Sequence, residues 1–385
     1  MSGYFLYHSI GTFPGKGEQT AVALSRFAEM WSAQDDQQWH EALAARDHFI
    51  QSWERLVGAA RGSMTTTENV TAALSSLIGA LPENRLRGKR VLIAQDCFPS
   101  LHFLLAGLQD HHGFTLDTVP CREGTAFVED EDFIARWDGD VGLALITWVT
   151  SAASKVADIP RLLDHARRMP ALTVVDVTQG VGILPFAVDG FDVMIGSSLK
   201  WLCGFPGAGM LYVRPDLLAE CRPTLRGWFS QPNPFSWALD TFSYADDARR
   251  FDHGTPAILA TIASQPGLDF VARMGVEALR AHNLNLARRL MEAALGFGLR
   301  PVSPVDDSRR GGSVMLQAPS LHQAGMLISN LKRDSIFADN RGKILRFSPG
   351  VMTLGESLDQ LIEAIASWAL APSVPDYERT PSNTY

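Results

Sequence analysis

Between residues 91 and 213 the chain carries six short apolar runs, over 91–94, 116–119, 141–149, 172–177, 193–195 and 210–213, separated by stretches with helical spacing. Runs this short without polar alternation are what strands covered on both faces look like. The middle of the chain is therefore predicted to be an α/β layer built on a mostly parallel sheet. Ahead of it, residues 17–60 place Ala23, Phe27, Met30 and Trp31, then Trp39, Leu43, Phe49 and Trp53, at spacings of three and four among polar residues. That is the pattern of a helical arm. After Pro256 the pattern is helical again, and a long segment over 275–295 leads to two further strands, 314–316 and 344–347, and a closing helix over 358–370. These make a small α+β unit.

For 385 residues two domains are the default expectation. The predicted divisions are an N-terminal helical arm over 1–55 that joins the small domain, a large domain over 56–274, a small C-terminal domain over 275–371 and a mobile tail over 372–385. The tail is rich in Pro, Ser, Thr and charge and has nothing to bury.

Charge and composition exclude several functions. The net charge is −8 and the basic residues form no stripe, which argues against nucleic-acid binding. No run approaches the roughly 18 apolar residues of a membrane span, and residues 1–8 lack a charged start followed by a long apolar run. The four cysteines, Cys97, Cys121, Cys203 and Cys221, show no C-x-x-C spacing. Disulfides and zinc are disfavoured, and a cytoplasmic protein is expected. The ten histidines include no H-E-x-x-H, and His111-His112 has no carboxylate pair nearby, so no metal is expected. Gly204-Phe205-Pro206-Gly207-Ala208-Gly209 does not open a helix after a strand and is not a dinucleotide fingerprint.

The chemistry sits in Val174-Val175-Asp176-Val177-Thr178-Gln179-Gly180 and Phe191-Asp192-Val193-Met194-Ile195-Gly196-Ser197-Ser198-Leu199-Lys200-Trp201. Asp176 ends one buried run, and Lys200 follows another about 24 residues later. This is the arrangement a pyridoxal phosphate enzyme needs, because a lysine forms the Schiff base and a carboxylate keeps the pyridine nitrogen protonated. Only six lysines occur, and Lys200 alone stands in a Gly/Ser-flanked loop after a buried run. Taken by themselves, the two residues serve equally well as a turn-capping aspartate and a surface lysine.

The segment from Phe191 to Met210 resembles the lysine motif of the class V aminotransferase family of fold type I pyridoxal phosphate enzymes. It fits at every restricted position except Leu199, where the family usually has His, Gln or Arg. Within that family the chain is similar to the kynureninases. Ser9-Ile10-Gly11 resembles their N-S-L-G, Phe98-Pro99-Ser100 their F-P-[ST]-D, and Gly227-Trp228-Phe229 their G-W-[WF]-G. Arg341 with Leu345-Arg346-Phe347 resembles F-R-x-x-x-x-[LV]-R-F-G.

The resemblance implies a large domain with a mixed, mostly parallel seven-stranded sheet, a small α+β domain, and a homodimer with shared active sites. It implies that Thr66 and Thr67 bind the cofactor phosphate at a helix start, where free N–H groups favour an anion. An ordinary Thr N-cap is the plain alternative. Phe98 is implied to stack on the pyridine ring, and Thr147 to lie near it. Gln179, in place of the more usual His, is implied to donate to the phenolate oxygen, and Ser197 to face the phosphate. Trp228 and Thr255 match phosphate contacts made partly by the neighbouring subunit. Arg346 matches the guanidinium that grips the substrate carboxylate, a task for a planar two-pronged donor.

Three departures bear on the substrate: Leu199 replaces a tyrosine, Leu101 replaces the Asp of F-P-[ST]-D, and Thr255 replaces an Asn common at the aryl-ketone pocket. The expectation is an amino-acid enzyme with Lys200 and Asp176 as catalytic residues, kynureninase-like in cleaving a Cβ–Cγ bond but acting on another substrate. Amino transfer, β-elimination and an inactive scaffold are the alternatives. No cysteine follows Cys221, which disfavours desulfurase chemistry through a C-terminal thiol.

Overall fold

Every apolar run between 91 and 213 becomes a strand of one sheet in the computed structural model, which describes residues 3–370. The predicted tail over 372–385 lies outside the described residues. In chain order the structure begins with β1 (Gly3–Tyr4), α1 (Lys16–Trp31) and α2 (Gln38–Val57). The large sheet and its helices follow as β2 (Met64–Thr67), α3 (Val70–Ile78), β3 (Arg90–Ala94), α4 (Pro99–His112), β4 (Thr115–Val119), α5 (Asp130–Arg136) and β5 (Val141–Thr147). They continue through α6 (Ile159–Ala166), β6 (Leu172–Asp176), β7 (Val193–Ser197), β8 (Gly209–Val213), α7 (Pro215–Glu220) and α8 (Ile258–Met274). The chain closes with α9 (Val276–Gly296), β9 (Arg300–Pro301), β10 (Val314–Gln317), α10 (Leu321–Arg333), β11 (Ile336–Phe337), β12 (Asp339–Arg341), β13 (Ile344–Phe347) and α11 (Gly355–Leu370).

The seven strands run in the order β2-β8-β7-β6-β5-β3-β4. Strands β3 to β7 are parallel, β8 is antiparallel to β7, and β2 is antiparallel to β8. Alternate residues of each strand enter opposite cores, as the two-residue side-chain period requires. Leu92, Ala144, Ile146, Val175, Met194 and Met210 join Phe49, Trp53 and Leu268 on one face. Val91, Leu143, Leu145, Val174, Ile195 and Leu211 join Leu74, Leu77, Leu101 and Leu105 on the other. This two-sided burial is why the runs lack polar alternation, and it makes a mixed, mostly parallel α/β sheet of the fold type I architecture.

A second sheet, β12-β13-β10-β9, is antiparallel and packs its apolar face on α9, α10 and α11. The N-terminal arm divides between the two cores. Strand β1 pairs with β11, and Phe5 is buried among C-terminal side chains, whereas α1 and α2 pack on α8, with Phe49, Ile50, Trp53 and Val57 in the core of the large sheet. Against the expectation that the arm joins the small domain as a whole, only its first strand does so, because the apolar stripe of α2 is buried against the large sheet. No helix among the described residues is long and apolar enough to cross a membrane.

Candidate active site

The strand order reverses between β3 and β5, since β4 lies on one side of β3 and β5, β6 and β7 on the other. Ligands of open parallel sheets collect at the carboxyl ends of strands beside such a reversal. Four expected residues stand there. Phe98 follows β3 and precedes α4, whose first residue, Pro99, has a fixed φ suited to a helix start. Thr147 and Asp176 end β5 and β6 and are register partners. Lys200 follows β7, and its Nζ lies 5.4 Å from the centroid of the Phe98 ring.

The electrostatics of this edge are unusual for an interior. Asp176 is buried, and burial pushes its carboxyl up, against hydrogen bonding from Thr178, whose backbone N–H donates to Oδ1 at 3.0 Å. Among the described residues Asp176 has no cation, and Lys200 no carboxylate, within ion-pair distance, although each feels the other's charge. Burial pulls the Lys200 ammonium down to about 8, with Asp176 opposing that shift and the charges of Arg346 and Arg341 adding to it. The hydroxyl of Thr147 is buried with no hydrogen-bond partner. Buried charges and hydroxyls are normally satisfied, so a cluster left incomplete by the protein fits a bound polar group. A protonated pyridine nitrogen would complete Asp176, and an aldehyde carbon is the partner of a neutral lysine. The residues present fit pyridoxal phosphate.

Thr66 and Thr67 occupy the end of β2 rather than a helix start. The N-cap of α3 is Asn69, whose side chain accepts from the Ala72 N–H at 2.9 Å. Both threonines line a cavity of about 330 Å³, together with Thr65, Arg46, Gly207 and Thr255. Arg46 of α2 organises its wall, donating from Nε to Thr66 Oγ1 at 2.9 Å, from Nη2 to Thr65 Oγ1 at 2.9 Å, and in bidentate fashion to Asp252 at 2.8 and 2.9 Å. The sequence signal for Arg46 was an arginine in the apolar stripe of α2, at three, four and seven residues from Phe49, Ile50 and Trp53. Gly209 of β8 keeps this wall close, since a Cβ there would stand 3.0 Å from the Thr67 carbonyl oxygen.

Ser197 ends β7 half-buried, its Oγ 3.4 Å from the Leu199 N–H. Trp228 is not among the residues lining the cavity. It lies in an aromatic cluster, 4.5 Å from Phe229 and 5.8 Å from Trp39 between ring centroids, and stacked on Trp237 at 6.1 Å. The structure thus assembles two groups of expected residues, one at the strand ends around Lys200 and one around Thr66, with Trp228 apart from both.

Gln179 and Arg346 are engaged by the protein itself. The Gln179 amide donates to the His8 carbonyl at 3.0 Å. Arg346 donates from Nε and Nη2 to Asp339 at 2.8 and 2.6 Å, and His8 Nε2 meets the same carboxylate at 3.1 Å. Burial alone would raise the Asp339 carboxyl, but the hydrogen bonds and charges of His8 and Arg346 bring it down to about 2. Neither His8 nor Asp339 stood out in the sequence, because the pairing depends on the β12–β13 register. Ser9-Ile10-Gly11 has a visible role: the Gly11 N–H donates to the Leu199 carbonyl at 3.1 Å, and a Cβ on Gly11 would fall 1.7 Å from the Lys200 carbonyl oxygen. The N-terminal segment therefore sits directly on the lysine loop.

The chain is similar to known proteins in family profile, in sequence and in fold. The profile of the aminotransferase class-V family matches residues 40–332. Over 332 residues the chain is 25% identical to an uncharacterized aminotransferase, YcbU, of Bacillus subtilis, covering 86% of this chain and 85% of that protein. It is 31% identical to the kynureninase of Deinococcus radiodurans, covering 78% of this chain and 77% of the kynureninase. Among solved structures, the apo cysteine desulfurase of Thermococcus onnurineus superposes with a TM-score of 0.84 at 19% identity, over 96% of this chain and 94% of that one.

Proposed function

This chain belongs to the aminotransferase class-V family and is a pyridoxal-phosphate-dependent enzyme, and from that premise we propose that it cleaves a Cβ–Cγ bond of an α-amino acid hydrolytically, in the manner of a kynureninase, on a substrate other than kynurenine. Buried Asp176 and Lys200 at the strand ends support the cofactor chemistry, and the observation that carries the cleavage reading is the likeness to a kynureninase, 31% identical over 78% of this chain.

When bound, the cofactor supplies an electron sink for charge developing at the substrate Cα. Asp176 would hold its ring nitrogen protonated, with the Thr147 hydroxyl as a polar neighbour and Phe98 as the aromatic side chain available to its ring. Thr66, Thr67, Ser197 and Thr255 would hold its phosphate, and the Arg46 fork fixes the rotamers of Thr65 and Thr66 from behind. Lys200, with its amine drawn down to about 8, is available in part as a neutral base at physiological pH and takes the Cα proton. Arg346, oriented by Asp339, presents its remaining edge to the α-carboxylate.

Two features support a substrate different from kynurenine. Leu199 offers no hydroxyl beside the lysine, and Thr255 stands where an Asn is common at the aryl-ketone pocket. A homodimer is part of the proposal. Trp237, stacked on Trp228, is 76% exposed, and Leu239 two residues on is fully exposed, apolar surface that a partner subunit would cover, bringing Trp228 to the neighbouring site.

Product analysis tests the reaction class. Purified holoenzyme incubated with γ-oxo-α-amino acids is expected to release alanine and the matching carboxylic acid without an added 2-oxo acid. Pyruvate released from thioether amino acids, or turnover only when a 2-oxo acid is supplied, would overturn the cleavage reading in favour of elimination or amino transfer.

A further inference from the structure

The β12–β13 hairpin places Asp339 and Arg341 on one face, two residues apart, with Asp339 opposite Arg346. That face carries two guanidinium groups and one carboxylate. Asp339 is fully used, by two bonds from Arg346 and one from His8. Arg341 is left over. Among the described residues it has no carboxylate within ion-pair distance, and its Nη1 donates instead to Ser151 Oγ at 3.2 Å. Ser151 is buried in the loop that follows β5 and Thr147, so the Arg341 side chain reaches from the small sheet to the substrate edge of the large one. Its charge is felt at Lys200, where it joins that of Arg346 in opposing protonation.

An unpaired arginine on a surface is ordinarily solvated and idle. Arg341 differs in being tethered by a hydroxyl at the mouth of a site that already holds one arginine for a carboxylate. A guanidinium fixed in this way has lost part of its rotamer freedom before a ligand arrives, which favours anion capture. Resting on the reading of the chain as an amino-acid enzyme, we propose that Arg341 is a specificity-determining residue of this site, receiving a carboxylate on the side chain of a substrate whose α-carboxylate goes to Arg346. The substrate class is then an acidic α-amino acid.

Dicarboxylates without an amino group test this independently of turnover. Isothermal titration of the wild-type holoenzyme is expected to show glutarate binding about tenfold more tightly than butyrate, the increment of one charge-assisted contact. In Arg341→Gln the advantage should shrink to about twofold or less, with butyrate affinity retained. Because Arg341 is exposed and supports no core packing, the variant should keep the wild-type far-ultraviolet dichroism. Equal binding of the two ligands by the wild type, or a loss in Arg341→Gln that weakens both alike, would overturn the assignment. The visible absorption of the holoenzyme separates the two readings: without a cofactor band the enzyme reading itself fails, whereas a normal band with no dicarboxylate preference sinks only the role of Arg341.

Discussion

The carboxyl edge of the seven-stranded sheet and the β12–β13 hairpin both gather charge around Lys200, and they settle it in opposite ways. In the hairpin, Arg346, Asp339 and His8 answer one another within hydrogen-bond distance, and the Asp339 carboxyl is held at about 2. At the strand ends, Asp176 is forced upward and Lys200 downward by burial, and neither has an ion-pair partner, each feeling the other's charge only from beyond contact. A self-satisfied network is structure in its own right, and one stripped partner destabilises it. An unsatisfied pair is a cost the fold bears for the sake of something that binds. Substitutions should therefore trade stability and activity in opposite senses in the two places.

The largest contrast is expected at Asp176. Asp176→Asn should lower turnover by about a hundredfold or more, since the amide leaves the ring nitrogen unprotonated. In the absence of cofactor the same variant should unfold at equal or higher denaturant, gaining on the order of 1–2 kcal/mol from removal of a buried unpaired charge. Denaturant titration of the apo forms measures this, and a less stable apo variant would break the contrast.

Asp339→Asn should behave in the reverse manner. Loss of the carboxylate strands Arg346, with an expected cost of about 1–2 kcal/mol in the apo protein once the partial exposure of Asp339 is allowed for. The acid limb sharpens the prediction. Asp339 has a folded value below its ordinary 3.8, so its contribution is complete above about 4 and is lost as pH falls toward about 2. Acid unfolding of the variant should lack that component.

A third expected effect concerns Lys200 in the apo protein. Its folded value of about 8 lies below the ordinary 10.5, so between these the unfolded chain binds more protons. Its penalty is present in full below about 8 and relieved as pH rises toward 10.5. Apo wild type should gain stability relative to Lys200→Met over that window, and parallel curves would mean that the amine is not desolvated.

How much of this was legible in the sequence follows from what each feature depends on. Strands β3 and β5 to β8 showed as apolar runs because both faces are buried, whereas β4, Thr115-Leu116-Asp117-Thr118-Val119 at the sheet edge, showed only through Leu116 and Val119. Strand β2 did not, since Met64-Thr65-Thr66-Thr67 is a polar edge segment that only its pairing with β8 makes a strand. Asp176 and Lys200 were visible because each follows such a run. The occupation of Arg346 by Asp339, and of Gln179 by His8, was not, because both are set by register and by the return of the N-terminus across the sheet edge. Arg46 was visible in principle, as a charge in an apolar helical stripe, but its partners at Thr65, Thr66 and Asp252 are fixed only by tertiary packing.

The central claim is that the unpaired amine of Lys200 and carboxylate of Asp176 are completed by pyridoxal phosphate. The most direct test is the absorption of the purified protein between about 300 and 500 nm, before and after borohydride, beside Lys200→Ala. A visible band in the wild type that borohydride bleaches, absent from the variant after both are supplied with cofactor, is the predicted result. A wild type that stays colourless with added pyridoxal phosphate, or a Lys200→Ala variant with the same bleachable band, would contradict the account.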